Sequence, residues 1–102
     1  ALQTACIKLG GYTDAIGIAE GIETALAASM RFGVPVWSCV SSSLMESWVQ
    51  PEGVKRVIVF GDNDAKFGGQ AAAYRIAHKL ACAGLSVEVR IPEQVGKDWA
   101  DV

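Results

Sequence analysis

The sequence predicts an α/β fold, a mostly parallel sheet of about four strands with helices packed on it. Three observations predict it. Short apolar runs alternate with segments whose apolar residues recur every three or four positions, the pattern of successive βαβ units. The clearest run, Arg56 to Phe60 (R-V-I-V-F), is continuously apolar, as suits a central parallel strand covered on both faces. Turn and stop residues (Gly21, Gly33, Pro51, Gly84) fall between these segments rather than inside them.

The elements follow in order. Ala15 to Ala19 (A-I-G-I-A) reads as a buried strand, with Glu20 and Gly21 as the turn after it. Ile22, Leu26 and Met30 then recur every fourth residue with alanines between them, which predicts a helix burying that stripe and stopping at Gly33. Val34 to Val40 is strand-like, with Pro35 confined to its start or to an edge. Ser43 and Glu46 have the spacing of a capping box, so a short helix carrying Leu44, Met45 and Trp48 is expected, ended by Pro51. After the strand at 56–60 comes a loop from Gly61 to Gly69. Ala72, Ala73, Ile76, Ala77 and Leu80 then mark a second helical stripe, closed by Gly84. Val87, Val89 and Ile91 alternate with Glu88 and Arg90, the signature of a half-buried strand.

At 102 residues, 51% of them apolar, the chain is expected to form a single domain, residues 1–102, with a genuine core. It shows neither a signal-peptide pattern nor an apolar run long enough for a membrane helix, so a cytoplasmic protein with no membrane partner is expected. The three cysteines, Cys6, Cys39 and Cys82, form no C-x-x-C pair; they read as buried free thiols rather than as a zinc site or disulfides. No G-x-x-x-x-G-K-[ST] is present, which excludes a P-loop within this segment. Ser41, Ser42 and Ser43 have no matching base in the local sequence, against a nucleophilic serine. His78 reads as a surface or half-buried helix residue. Trp37 and Trp48 read as core, and Trp99 as the tryptophan that could stack a base.

The acids carry the chemistry. In a parallel sheet ligands bind beyond the carboxyl ends of the strands, and there the first strand delivers Glu20 while the central strand delivers Asp62 and Asp64 in G-D-N-D. Alternate residues of an extended chain point the same way, so Asp62 and Asp64 are expected on one side and Asn63 elsewhere. Carboxylates aimed at one spot need a cation or a proton between them. Mg²⁺, held by one or two carboxylates while keeping waters for substrate phosphates, suits this arrangement. Gly68 and Gly69, opening the next helix, would leave backbone N–H groups for an anion. A second reading makes the D-x-D a solvated turn that caps the following helix, and makes Glu20 a first-turn carboxylate favoured by its helix dipole.

A-E-G-I-E-T-A-L-A at 19–27, G-D-N-D-x-x-x-G-G-Q-A-A at 61–72 and G-K-D-W-A-D at 96–101 resemble the Toprim domain of bacterial-type primases, topoisomerases, and certain nucleases and recombination proteins. The wording is most similar to the Toprim domains of plasmid- and phage-borne primases and primase-helicases. The resemblance runs from about Ala15 to the end and implies a compact Rossmann-like Toprim fold. It implies that Glu20 is the general base or acid of nucleotidyl transfer and that Asp62 and Asp64 hold Mg²⁺, with Mn²⁺ as a substitute. Asp98 and Asp101 correspond to a further acidic motif, and Gly21 and Gly68 to backbone positions of the two main motifs. Lys66, Lys97 and Gly69 join Gly21 and Gly68 as phosphate or nucleic-acid contacts. Because a nearby divalent cation lowers a carboxyl pKa, Glu20 fits a metal ligand as well as a base.

The formal charge is −2, yet setting aside Glu20, Asp62, Asp64, Asp98 and Asp101 leaves nine Lys/Arg against six acids. No acid lies between Asp64 and Glu88, where Lys66, Arg75, His78 and Lys79 fall, a balance compatible with a polyanion bound through metal. The resemblance thus implies the Mg²⁺-dependent core of a primase making RNA primers on single-stranded DNA from nucleoside triphosphates, beside a helicase or a fused helicase domain. It also implies that the chain is a piece of a longer primase-like protein. Its rivals are a Toprim nuclease and a non-catalytic module binding nucleic acid or a partner. A topoisomerase would need a catalytic tyrosine, and neither Tyr12 nor Tyr74 has the setting for one.

Overall fold

The computed structural model describes residues 14–101; Cys6 and Tyr12 lie outside that range. Four strands, β1 (Ala15–Ala19), β2 (Val36–Ser38), β3 (Arg56–Phe60) and β4 (Ser86–Arg90), alternate with α1 (Ile22–Phe32), α2 (Ser42–Glu46) and α3 (Gly68–Cys82). The sheet order is β2-β1-β3-β4 and every pairing is parallel. β1 and β3, the two continuous apolar runs, occupy the centre. β2 starts directly after Pro35, whose missing N–H is harmless on an edge strand.

Alternation of side chains splits the core into two layers. Ile16, Ile18, Trp37, Val57 and Val59 face α2 and α3, where they meet Met45, Trp48, Ala73, Ile76 and Leu80. Ala19, Val36, Ile58 and Phe60 face α1, where they meet Ala25 and Ala28. The crossover from β1 to β2 runs in the opposite sense to those from β2 to β3 and from β3 to β4. Right-handed crossovers then require α1 on one face and α2 and α3 on the other.

α1 buries a different face from the one its spacing predicts. Thr24, Ala25 and Ala28 are buried, whereas Ile22, Leu26 and Met30 are exposed, Met30 at 86%. Gly17 explains the choice, because a Cβ there would lie 2.8 Å from both the Phe60 ring and Val36. The sheet surface is filled from its own side, and only the helix's small residues fit against it. Gly33 stops α1 as expected, in the left-handed conformation with its N–H donating to Ser29 O.

The cap of α2 lies two residues before the predicted one. Ser41, not Ser43, caps it, its Oγ accepting from Leu44 N at 3.2 Å. Trp37 and Trp48 are core, as expected. Arg75 pairs with Glu46 at 2.9 Å and Lys79 Nζ donates to Trp48 O at 3.1 Å, so these cations fasten α3 to α2 and its exit. Cys39 is buried, but Cys82 is exposed, with its Sγ within 4 Å of the exposed His78 ring. Among the described residues no helix is long and apolar enough to cross a membrane.

Candidate functional site

β1 connects toward one edge of the sheet and β3 toward the other, so the chain direction switches between them. Their ends are level, with Ala19 opposite Phe60. A crevice must open there, beyond the carboxyl ends of the strands. It is a cleft of about 370 Å³ lined by Glu20, Gly21, Thr24, Val40, Asp62 and Asp98, among others.

Each wall has a local cause. Gly21 caps α1 with extended backbone and no side chain, leaving the cleft floor open beside Glu20. Ser38, fully buried at the end of β2, donates from Oγ to Glu20 O at 3.1 Å and accepts from Val40 N at 3.3 Å. It therefore ties the residue after β1 to the turn after β2. Val40 has φ 73° although it is β-branched, and it is 54% exposed in the cleft wall. Such a conformation persists only where its surroundings impose it.

The D-N-D segment divides its side chains three ways. Asp62 faces the cleft. Asp64 turns to α3, where Oδ2 accepts from Gly69 N at 2.6 Å, so it caps that helix. The Gly69 N–H is thus engaged by the protein rather than left for an anion. A Cβ on Gly69 would lie 2.7 Å from Asp62 O and 2.9 Å from Asp64 Oδ2, so only glycine lets α3 start this close. Asn63 donates from Nδ2 to Pro92 O at 2.7 Å and Glu93 O at 3.2 Å, and its backbone forms an antiparallel bridge with Lys97. Gln70 completes the joint, donating from Nε2 to Asn63 Oδ1 at 2.9 Å.

That joint carries Asp98 to the cleft. Asp98 Oδ1 accepts from Ala100 N at 2.8 Å and from Asp101 N at 3.2 Å, while Asp101 Oδ2 accepts from Asp98 N at 3.1 Å. Asp101 thereby shapes the turn that presents Asp98, and it does not line the cleft. The fold therefore brings Glu20, Asp62 and Asp98 to one cleft, while Asp64 and Asp101 serve its framework. Lys66 and Gly68 are exposed around the turn into α3, and Lys97 is exposed next to Asp98. Trp99 packs edge-on against Phe32 and Phe60 with centroids 5.2 and 6.1 Å away, and its Nε1 donates to Arg90 O.

Burial, and then the negative fields of Asp98, Glu20, Asp64 and Asp101, push the Asp62 carboxyl up to about 6. A half-buried carboxyl among four other acids calls for positive charge. The donor set is all carboxylate oxygen, which fits a hard cation such as Mg²⁺ rather than zinc. Among the described residues no three Asp, Glu, His or Cys side chains stand close enough to hold an ion by themselves. Any ion in this cleft would depend on waters or substrate oxygens for most of its coordination shell.

A family profile described as Toprim domain matches residues 15–102. The chain belongs to the Toprim domain family. Toprim domains occur in primases, topoisomerases and nucleases, are often the catalytic parts of nucleic-acid enzymes, and typically bind Mg²⁺. The four-stranded parallel sheet is the Rossmann-like Toprim architecture. No curated protein and no solved structure shows a significant match to the chain.

The sequence reading missed Ser38, Val40 and Asn63. Ser38 and Val40 lie in an S-C-V-S-S-S run with nothing local to mark them, and Ser38 matters through Glu20, 18 residues earlier in the chain. Asn63 carried a usable signal. An amide between two aspartates at a strand end is a residue whose two donors must find carbonyls.

Proposed function

We propose that this Toprim domain is the Mg²⁺-dependent catalytic part of a DNA primase-like nucleotidyltransferase, acting in the cytoplasm on single-stranded DNA with nucleoside triphosphates. The observation that carries the reading is the convergence of Glu20, Asp62 and Asp98 on one cleft at the switch point of the sheet. The wording of the three motifs supports primer synthesis over hydrolysis, and a helicase is the partner that wording implies.

Glu20, Asp62 and Asp98 would hold the cation, which when bound polarises a phosphoryl oxygen and stabilises the leaving oxygen. The chain supplies the rest. Asp62 presents a carboxylate whose charge is unfavourable until a cation arrives. Ser38 fixes the backbone at Glu20, so that its carboxylate can take the proton of an attacking hydroxyl or join the ligands. Asp64 and Gly69 keep the Asp62 loop against α3. The 102 residues alone are expected to fold and to bind Mg²⁺ weakly, with little synthesis.

A Mn²⁺ titration followed by NMR tests the site. Signals of Glu20, Asp62 and Asp98 should broaden together in the wild type and not in Asp62→Asn. Broadening elsewhere, or equal broadening in the variant, would sink the reading. The full-length protein, given a single-stranded template and nucleoside triphosphates, should then extend rather than degrade; shortening of the template would establish a nuclease instead.

A further inference from the structure

Beside the acidic cleft lies a second one of about 440 Å³, lined by Arg31, Ile91, Pro92, Glu93, Gln94 and Trp99. The two adjoin, because Asp98 lines the first and Trp99 the second; consecutive Cα atoms are only about 3.8 Å apart. The Pro92–Glu93 rim is bonded to Asn63, between Asp62 and Asp64, so the same joint holds both clefts in register.

The chemistry of the second cleft differs from that of the first. The Arg31 guanidinium sits over the Trp99 ring at 5.6 Å from its centroid and over Phe32 at 5.9 Å. Arg31 is exposed, and among the described residues its guanidinium has no carboxylate partner. Its place in the last turn of α1 suits a cation, but that does not account for a guanidinium held over an indole at the mouth of a cleft. Arg90 also lies over Phe32, at 4.9 Å from its centroid, but unlike Arg31 it has a carboxylate partner, Glu88, which it shares with Arg56. Trp99 is held under Arg31 by its Nε1 bond to Arg90 O and by its edge contacts with Phe32 and Phe60. Ile91 and Pro92 add an apolar wall, and Glu93 and Gln94 bring polar groups to the rim. A carboxylate at the rim disfavours a phosphate there and suits a group carrying N–H donors.

We propose that the cleft between Arg31 and residues 91–94 is a nucleobase subsite, in which a base of single-stranded nucleic acid stacks on the Trp99-supported guanidinium of Arg31 while its backbone passes the acidic cleft. Arginine planes and aromatic rings are the surfaces on which unpaired bases stack. Apolar walls with a few polar groups are what a base-sized site requires. The inference rests on the acidic cleft being the phosphate and metal site, and it assigns the neighbouring base to a place of its own.

The test uses a short oligodeoxyadenylate and an abasic oligomer of equal length, each titrated into the chain with EDTA present and the Trp99 indole N–H followed by NMR. The oligodeoxyadenylate should shift that signal and the abasic oligomer should not. Arg31→Ala should weaken binding about fivefold or more, the effect of losing one stacked base. Arg31→Lys, which keeps the charge and loses the plane, should weaken it similarly. An unmoved indole, an equal shift from the abasic oligomer, or wild-type binding by Arg31→Lys would each overturn the subsite. Mn²⁺ broadening at Asp62 is read in parallel samples prepared without EDTA and should persist in Arg31→Ala. Its absence beside an intact indole shift would overturn the metal reading and leave the base-binding cleft standing.

Discussion

Asp62→Asn exchanges a carboxyl for a neutral group of the same shape, so it isolates what the negative charge costs the fold. The carboxyl is pushed from 3.8 to about 6. At about 1.36 kcal/mol per pH unit, holding it ionised costs about 3 kcal/mol. Asp62 is half-buried rather than sealed, and solvent screening reduces this to about 1–1.5 kcal/mol. The sign follows from proton linkage. Between about pH 4 and pH 6 the folded carboxyl keeps a proton that the unfolded one has lost, so the contribution of Asp62 to stability falls as pH rises through that window and is flat above it. Metal-free Asp62→Asn should therefore match the wild type near pH 4 and exceed it by about 1–1.5 kcal/mol at neutral pH, or about 5–10 °C in Tm. Urea unfolding of both proteins across this pH range, with and without Mg²⁺, measures it. Mg²⁺ at about ten times its Kd should return about 1.4 kcal/mol to the wild type and nothing to the variant. A variant less stable than the wild type at neutral pH, or a difference that does not change with pH, would refute the reasoning.

Three further outcomes are expected. Ser38→Ala leaves Glu20 O and Val40 N without their buried partner and should lower stability by about 1–3 kcal/mol in urea unfolding, with weaker Mn²⁺ broadening at Glu20. Gly69→Ala gains up to about 1 kcal/mol of helix propensity but sets a methyl 2.7 Å from Asp62 O; it should be net destabilising and should move the Asp62 and Asp64 amide signals. Val40→Gly removes the left-handed strain and should raise Tm if the turn is unchanged, a gain of about 1 kcal/mol.

Periodicity made the sheet legible. R-V-I-V-F suits a central strand and forms one, and the apolar stripe of α3 (Ala72, Ala73, Ile76, Leu80) packs where its spacing puts it. The same method placed α1 correctly but chose the wrong buried face, because both of its faces are apolar at helical spacing. The choice between them is made by Gly17, Val36 and Phe60, which no helical pattern contains. At the site, alternation places Asp62 and Asn63 on different sides, as the sequence implied. It did not foresee Asp64 leaving that alternation to cap α3, although the capping reading of D-x-D describes Asp64 well. Sequence offered two uses for the pair; in the fold Asp62 lines the cleft and Asp64 accepts from the Gly69 N–H.

The Asn63 joint has a consequence for how the domain fluctuates. Asp98 arrives on a stretch that belongs to no strand or helix. Its attachments are the bonds that Asn63 makes to Pro92, Glu93, Gly96 and Lys97 and the wedging of Trp99 against Phe32 and Phe60. Releasing that latch breaks no rung of the sheet, so the amides of Gly96 and Lys97 should exchange with solvent through a local opening, long before those of β3. Asp98 is also the largest single charge acting on Asp62. Each opening therefore eases the proton off Asp62 and dismantles one wall of the cleft, so the third carboxylate behaves as a detachable clasp on an otherwise permanent sheet.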